Sequence, residues 1–208
     1  LTELAASHAR AEWQITLEHE DGQTALETLL TEKIGEAGKR VHLGRSRNDQ
    51  VLTALRLYLR DTVEQLKDAT NVVADELDAL GERHGDLALP GYTHMQQAMP
   101  SSVKLWAGGF ASELRDDADG LRQVHRRLQK SPLGSAAGYG SPNLPIDRHF
   151  TARELGFVQV HEPVTAVQLS RGKAEAQLTF EIALVMQDVG RLASDLCLFY
   201  TQEFAFVT

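Results

Sequence analysis

The apolar residues of this 208-residue chain recur mainly at helical spacing. Between Val51 and Arg83 a leucine or valine returns every seven residues, and further apolar positions widen the stripe. The repeating positions are Leu52, Leu59, Leu66, Val73 and Leu80. At 1.5 Å per residue this pattern predicts a helix about 50 Å long, and a seven-residue repeat favours near-parallel packing in a bundle or coiled coil.

The same spacing predicts two more long helices. One runs from Val103 to Leu128 across the pair Gly108-Gly109, where each glycine costs about 1 kcal/mol relative to alanine and close contact with another helix is the expected compensation. The other starts between Ser170 and Lys173, with apolar residues alternately four and three positions apart. These are Leu178, Ile182, Val185, Val189, Leu192, Leu196 and Phe199. The predicted fold class is all-α, a bundle of long helices.

Shorter elements are predicted around these helices. Residues 1–20 carry a helical pattern, and Thr24 with Glu27 forms a capping-box pattern for a helix that ends at Gly35. Thr151 is predicted to cap a short helix ending at Gly156.

The segments rich in glycine and proline are predicted to be irregular. Residues 86–100 are expected to form a loop, and residues 131–149 a turn-rich connection. A weak strand pattern covers residues 157–160.

Composition narrows the function classes. A formal net charge of −8 argues against binding to nucleic acid or to an anionic membrane surface, and no long uncharged apolar run or signal peptide is visible. Zinc-ligand spacing, a P-loop and a dinucleotide fingerprint are all missing from the sequence, so no metal or cofactor is predicted.

The single cysteine, Cys197, lies among apolar residues and is predicted to be a buried, inert thiol. A chain that cannot form an internal disulfide fits a reducing compartment, and we predict a cytoplasmic location. Because the sequence starts with Leu1 and stops at Thr208 just after an apolar segment, we expect it to be part of a longer polypeptide.

The richest candidate chemistry lies at Val41–Gln50, directly before the longest helix. Arginine forks, a serine and an asparagine follow one glycine here. A helix start adds unpaired N–H groups and a partial positive charge, so this loop is suited to bind a carboxylate. The plainer interpretation is a solvated loop in which Asn48 or Asp49 caps the helix. His94, in a loop bounded by glycine and proline, is the best candidate for proton transfer near neutral pH, although a structural histidine is equally compatible with its position.

These motifs resemble those of the argininosuccinate lyases, in the fumarase/aspartase superfamily. The run from Gly44 to Gln50 resembles the first family signature, and the run from Gly91 to Gln96 resembles the second. The resemblance continues through residues 131–135 and 146–148, so it covers most of the chain.

The resemblance implies cofactor-independent elimination of fumarate from argininosuccinate, which leaves arginine. It assigns Ser46, Arg47 and Asn48 to the fumarate half, Thr93 to a carboxylate, and His94 to proton transfer as acid or base. His94 and Thr93 are the expected catalytic residues. Arg45 and Gln96 complete the predicted substrate-binding set. The family's other proton-transfer residue is a serine in a third signature loop, which this sequence lacks, so the isolated segment is expected to be inactive.

The resemblance also implies an architecture. Residues 1–48 are expected to be the C-terminal part of an N-terminal helical domain, and residues 49–208 an incomplete central bundle domain. In the family, four subunits pack their long helices together, and each active site takes its signatures from three of them. We therefore expect a homotetramer with shared active sites.

Departures from the family pattern leave alternatives open. Gln23 stands where the family usually has histidine, Leu43 where it has threonine, and Gln97 where arginine is common. The family's Ser-Asp-Arg-Asp-like run before the third long helix appears here as residues 168–171. One alternative is a catalytically inert, crystallin-like or truncated relative. Another is a sister lyase acting on adenylosuccinate, fumarate or aspartate.

Overall fold

Long helices form where the seven-residue repeats predict them, which confirms the all-α fold class. The computed structural model describes residues 1–207. Its helices are α1 (Thr2–Ala9), α2 (Gly22–Ile34), α3 (Glu36–Lys39), α4 (Arg47–His84), α5 (Val103–Leu128), α6 (Arg148–Glu154), α7 (Ala166–Leu169) and α8 (Lys173–Phe199). Short 3-10 turns lie at Leu17–His19 and Arg40–His42, and the strands are β1 (Ala88–Thr93), β2 (Gln96–Ser102), β3 (Lys130–Ser131) and β4 (Gln159–Val160).

The chain divides into two compact units. The first, which we call the loop unit, contains Leu1–Arg56 and Lys130–Arg171. The second, the bundle unit, contains Leu57–Gln129 and the chain from Gly172 onward. The predicted domain division after residue 48 stays a prediction, and its last residue, Thr208, lies outside the described part of the chain.

Two apolar clusters form the core of the bundle unit. Side chains of α4, α5 and α8 meet in the first, and α4 and α5 supply the buried residues of the second. The first contains Val63, Leu121, Val124, Leu128, Ala174 and Leu178, and the second contains Ala74, Leu77, Ala107, Ala111 and Leu114. Burial of a leucine or valine side chain contributes about 1.5–3 kcal/mol, so these clusters dominate the stability of the unit.

Part of the helical surface stays uncovered. A stripe of exposed apolar or small residues, the α8 stripe, follows α8 at spacings of three and four and consists of Ala183, Met186, Gly190, Ala193 and Cys197. The prediction of a buried thiol is therefore wrong, because Cys197 lies on the face of α8 that the chain's own core does not cover. The described chain itself does not supply the contact expected beside Gly108 and Gly109, since nothing in it lies within 4 Å of a Cβ built at either glycine.

A β-hairpin occupies the segment that was predicted to be a loop. Strands β1 and β2 pair antiparallel from Ala88 with Ser102 to Thr93 with Gln96, with an irregularity between Pro90 and Tyr92. Proline is unusual within strands, so Pro90 and Pro100 argue against a strand prediction here. The turn also lacks the Asn-Gly or Asp-Gly pair that is typical of a hairpin. The weak strand expected near residue 160 is present as β4, which pairs in parallel with β3.

Aspartates cap two of the shorter helices in place of the predicted threonines. The Asp21 carboxylate accepts the Thr24 N–H at 2.9 Å, so α2 begins two residues before Thr24. Asp147 likewise accepts the Phe150 N–H at 2.8 Å at the start of α6. Aspartate is at least as good an N-cap as threonine, and Asp21 and Asp147 both precede the predicted threonine caps in the chain. The helix predicted over residues 1–20 is shorter than expected, because α1 ends at Ala9.

Candidate active site

The first candidate group lies in the loop unit. It belongs to residues 44–50, the signature loop, which leads into α4. Ser46 and Asp49 cap the helix reciprocally: the Ser46 Oγ accepts the Asn48 N–H at 3.2 Å, and the Asp49 Oδ1 accepts the Ser46 N–H at 2.9 Å. The N-cap is therefore Ser46, not Asn48 or Asp49. This cap places the side chains of Arg47 and Asn48 in the first turn of the helix, where its dipole favours anions.

A glycine is required immediately before this loop. Gly44 has a φ of +67°, and a Cβ at this position would lie 2.1 Å from Ile146 Cδ1. A residue with a side chain would be strained in its backbone and would displace Ile146. The geometry thus explains why a single glycine precedes the donor-rich residues.

Arg47 and Asn48 are both exposed, and both already have partners. The Arg47 guanidinium donates to Glu20 Oε2 at 3.2 Å and to the Thr24 hydroxyl, and it lies 3.3 Å from Asp21 Oδ2. Asn48 Oδ1 accepts from Arg171 Nη1 at 3.0 Å. An incoming carboxylate would exchange with these surface contacts, each of which contributes about 0–1 kcal/mol.

Arg45 is directed differently from Arg47. Its Nη1 donates to the Val41 carbonyl at 3.1 Å, which folds the side chain back over its own loop. The structure thus brings Ser46, Arg47 and Asn48 together at the helix start. The Arg45 side chain instead binds the backbone of its own loop.

Asp49 is a residue of this region that the sequence-based site prediction missed. Its side chain has no exposed surface, and its Oδ2 accepts the N–H groups of Gly134 at 2.9 Å and Ala136 at 2.7 Å. The available signal was the Ser-x-x-Asp spacing of a capping box, which predicts the contact with Ser46. No sequence pattern predicts the contact with a segment 85 residues away.

Gln23, one of the positions that depart from the family pattern, lies in the same region. Its amide donates to Glu27 Oε1 at 2.9 Å and to Gln50 Oε1 at 3.1 Å. Glu27 also lies 2.7 Å from His42 Nδ1. Gln23 therefore links α2 to the first turn of α4.

A buried basic group supports the loop unit. The Arg56 Nη1 lies 2.5 Å from the Lys130 carbonyl and 3.1 Å from His161 Nδ1, and the Arg56 Nη2 donates to Ser170 Oγ at 2.7 Å. Burial, reinforced by the charges of Arg56, Lys130 and Arg148, lowers the pKa of His161 to about 4. The imidazole is neutral at pH 7, so its Nδ1 can accept the hydrogen bond from Arg56.

The second candidate group lies in the bundle unit, at the tip of the hairpin. His94 and Met95 form its two-residue turn with φ values of +51° and +60°. Positive φ at both central positions is what a type I′ turn requires, and it costs about 1–2 kcal/mol for each residue that is not glycine. Thr93 and Gln96 flank the turn as the last strand pair, and all four residues are exposed.

His94 borders a cleft of about 490 Å³ within the bundle unit. Aromatic rings form much of its wall: Tyr92 packs edge-on against Phe204 at 5.7 Å, and Trp106 lies 5.6 Å from Phe199. The Trp106 indole donates to Asp195 Oδ2 at 2.9 Å. The hairpin therefore places one exposed imidazole beside a mostly apolar cavity with a carboxylate in its wall.

Residues 1–207, which the structure describes, contain neither a metal-site arrangement nor a membrane-spanning helix. No cluster of three or more histidine, cysteine, aspartate or glutamate side chains has the arrangement of a metal site. Within the same residues, every helix is too short or too polar to span a bilayer.

Comparison with known proteins identifies the relatives of this chain. The family model described as Lyase matches residues 1–208. The chain is 46% identical to the argininosuccinate lyase of Sorangium cellulosum over 98% of its own length and 47% of the relative's. It is 42% identical to the argininosuccinate lyase of Thermotoga neapolitana over its full length and 52% of that relative. The chain thus spans about half the length of the curated relatives it matches.

A solved structure supports the same relationship. A structure of EDDS lyase in complex with formate superimposes with a TM-score of 0.82 at 27% identity, over 86% of this chain and 36% of the other. Because the family model covers the whole sequence and these relatives agree with it, this chain belongs to the lyase family, within the fumarase/aspartase superfamily.

Proposed function

We propose that this chain is part of an argininosuccinate lyase, which splits argininosuccinate into fumarate and arginine. The observation that carries the proposal is the start of α4, where the partly buried Ser46 caps a first turn that exposes Arg47 and Asn48. A dicarboxylate needs such a cluster of N–H donors beside a fixed positive charge. The argininosuccinate lyases at 46% and 42% identity support the choice of substrate.

The proposed roles are those that the family resemblance implies, and they are consistent with the chemistry of elimination. Removal of a proton beside a carboxylate drives charge into that carboxylate, and donors placed there stabilise the transition state. Ser46, Arg47 and Asn48 would hold the fumarate half, with Thr93 on a carboxylate and Arg45 and Gln96 completing the binding set. His94 would carry one of the two proton transfers, because imidazole exchanges protons near neutral pH.

The assembly is also a proposal. We propose a homotetramer in which each active site combines signature loops from different subunits. The α8 stripe supports it, because exposed apolar residues at alternating spacings of three and four form a helix-packing surface. Open space beside Gly108 and Gly109 would likewise admit a helix from a neighbouring subunit. The division into an N-terminal domain before residue 49 and a central bundle domain after it belongs to the same proposal.

The cellular setting follows from the reaction. An enzyme that releases arginine belongs to arginine biosynthesis, and we propose that it acts in the cytoplasm. The single cysteine supports a reducing compartment, since no internal disulfide can form.

The test is fumarate formation by the complete polypeptide that the gene encodes. Ultraviolet absorbance would follow fumarate during incubation with argininosuccinate, adenylosuccinate or aspartate in parallel. Turnover of argininosuccinate alone, lost in His94→Asn, is the expected result. Turnover of another substrate would identify a sister lyase, and no turnover from a folded tetramer would identify an inert relative.

A further inference from the structure

Asp49 is the most deeply buried charged side chain near the proposed site. It lies in the first turn of α4 with 0% exposure, between the exposed residue Asn48 and the partly buried Gln50. Its two oxygens accept three backbone N–H groups, from Ser46 on one side and from Gly134 and Ala136 on the other. Burying a carboxylate costs free energy unless its oxygens accept hydrogen bonds. Both oxygens of Asp49 accept backbone N–H groups, so its role is to hold these backbone segments in place.

Arg148 also binds the turn at residues 133–136, through a carbonyl group and not through the N–H groups that Asp49 accepts. The Arg148 Nε donates to the Leu133 carbonyl at 3.0 Å, and its Nη2 donates to the His161 carbonyl at 3.2 Å. Gly134 has a φ of +84°, and a Cβ there would lie 2.8 Å from Arg148 Cγ. The N–H groups of the turn are therefore fixed by an anion and one of its carbonyls by a cation.

The chain after this turn returns to the signature loop. The Ser135 carbonyl accepts the N–H groups of Gly138 at 3.0 Å and Gly140 at 2.9 Å, which curls residues 134–141, the glycine-rich segment, back on itself. The Ser141 hydroxyl then donates to the Gly44 carbonyl at 3.4 Å. The signature loop and the glycine-rich segment thus meet at both ends, through Asp49 and through Gly44.

We propose that Asp49 is the positioning residue of the carboxylate site, and that it sets Ser46 and the turn at Leu133–Ala136 in one fixed arrangement. The proposal rests on the function proposed above. Asp49 faces the interior, so it does not contact substrate. It acts through the Ser46 N–H and through the glycine-rich segment, whose Ser141 hydroxyl donates to the Gly44 carbonyl. The positions of substrate-binding groups must be held within a fraction of an ångström. A carboxylate that accepts three backbone hydrogen bonds can hold its partners this tightly.

The variant Asp49→Asn tests this, because asparagine keeps the size and removes one acceptor. Whichever way the amide is oriented, its NH2 group meets an N–H donor, either from Ser46 or from Gly134 and Ala136. The matched control is Thr53→Val. Thr53 is 5% exposed, and its hydroxyl donates to the backbone carbonyl of Asp49 at 2.6 Å, so Thr53→Val changes a buried neighbour and keeps the Asp49 carboxylate.

Two readouts would be measured in the complete polypeptide: amide hydrogen exchange at Gly134 and Ala136, and fumarate affinity together with KM and kcat for argininosuccinate. In Asp49→Asn we expect exchange to accelerate at least about tenfold, and the fumarate Kd and KM to rise by about tenfold or more, with a smaller fall in kcat. Thr53→Val should lower thermal stability and leave Kd and KM unchanged.

The outcomes separate the two proposals. Wild-type affinity in a folded Asp49→Asn variant would overturn the positioning role while leaving the proposed function intact. An equal rise of KM in Thr53→Val would also overturn it, because the effect would then follow stability alone. If the wild-type protein binds no fumarate, the proposed function fails. In that case, unchanged exchange at Gly134 in Asp49→Asn would overturn the fixed arrangement as well.

Discussion

The carboxyl group of Asp117 is buried on α5 among other acidic side chains. Its residue is 9% exposed, and its Oδ2 has no hydrogen-bond partner among the described residues. Burial, together with the charges of Asp188, Glu113, Glu181 and Asp116, raises the pKa of Asp117 to about 6. Ionising this group at neutral pH therefore works against folding.

Replacing Asp117 should stabilise the protein. Between pH 3.8 and about 6 the folded state binds more protons at Asp117 than the unfolded state, so its contribution to the free energy of unfolding falls as pH rises. Asp117→Asn removes this ionisation and should raise the free energy of unfolding at pH 7 by about 1–3 kcal/mol. Urea unfolding at several pH values would measure it, with the exposed residue Asp119 changed in Asp119→Asn as the control. A loss of stability at pH 7 in Asp117→Asn alone would contradict the prediction.

His161 should have the opposite effect over nearly the same pH range. Its folded pKa of about 4 lies below its unfolded value of 6.5, so the stability that it contributes is present above pH 6.5 and lost as pH falls through 4. In His161→Asn the Oδ1 can still accept from Arg56, and the protein should lose less stability than wild type between pH 6.5 and 4. Unfolding midpoints across this range would show it. The exposed residue His149, changed in His149→Asn, is the control, and an unchanged pH profile in His161→Asn would refute the assignment.

The sequence indicates the candidate residues of the site more readily than the contacts that hold them in place. Arg47, Asn48 and His94 belong to contiguous motifs, and each lies exposed beside a helix start or at a turn tip. Asp49 and Arg148 act through contacts made across the fold, and no local pattern encodes a bond between residue 49 and residue 134. Burial and long-range partners become visible only when the chain is folded.

At the level of elements, the hairpin β1–β2 carries backbone strain at its tip. His94 and Met95 both have positive φ, although neither is glycine, asparagine or aspartate. Conformations of this kind persist where the surrounding structure imposes them, often at functional sites. The antiparallel pairing of Thr93 with Gln96 imposes it here.

A glycine at Met95 should relieve that strain. Met95 is 77% exposed, so Met95→Gly gives up little burial and removes a left-handed penalty of about 1 kcal/mol. Met99, which is 69% exposed on β2, supplies the control: Met99→Gly places glycine in extended backbone and should lose about 0.5–1 kcal/mol. Thermal unfolding of both variants would be compared with wild type. Equal destabilisation of the two would show that the turn is not strained.

Helices were easier to predict than their ends or the hairpin. A seven-residue repeat over more than thirty residues identifies α4 from Leu52 and Leu59 onward, because buried faces must repeat with the helix. Helix caps depend on single hydrogen bonds. The apolar pattern therefore does not distinguish Asp21, the observed N-cap of α2, from the predicted cap Thr24. The hairpin was missed since its strands contain Pro90 and Pro100 and its turn residues carry no glycine.

At the scale of the whole molecule, the two groups of candidate residues belong to separate units. Ser46, Arg47 and Asn48 lie in the loop unit, and Thr93, His94 and Gln96 lie in the bundle unit. The α8 stripe provides a surface through which copies of the chain would associate. If the proposed tetramer shares its sites, then one copy's signature loop would work with another copy's hairpin.

Mixing two inactive variants tests this sharing directly. Asn48→Ala disables the first group and His94→Asn the second, and each complete polypeptide alone should be nearly inactive. When equal amounts are unfolded and reassembled together, half of the first loops and half of the hairpins are intact, so about a quarter of the sites should combine two intact parts. Fumarate release should then recover to about a quarter of wild type. A single-chain site predicts no recovery, because every chain would carry one defect. Mixing the two preassembled proteins without unfolding is the control, since subunits that do not exchange keep their defects.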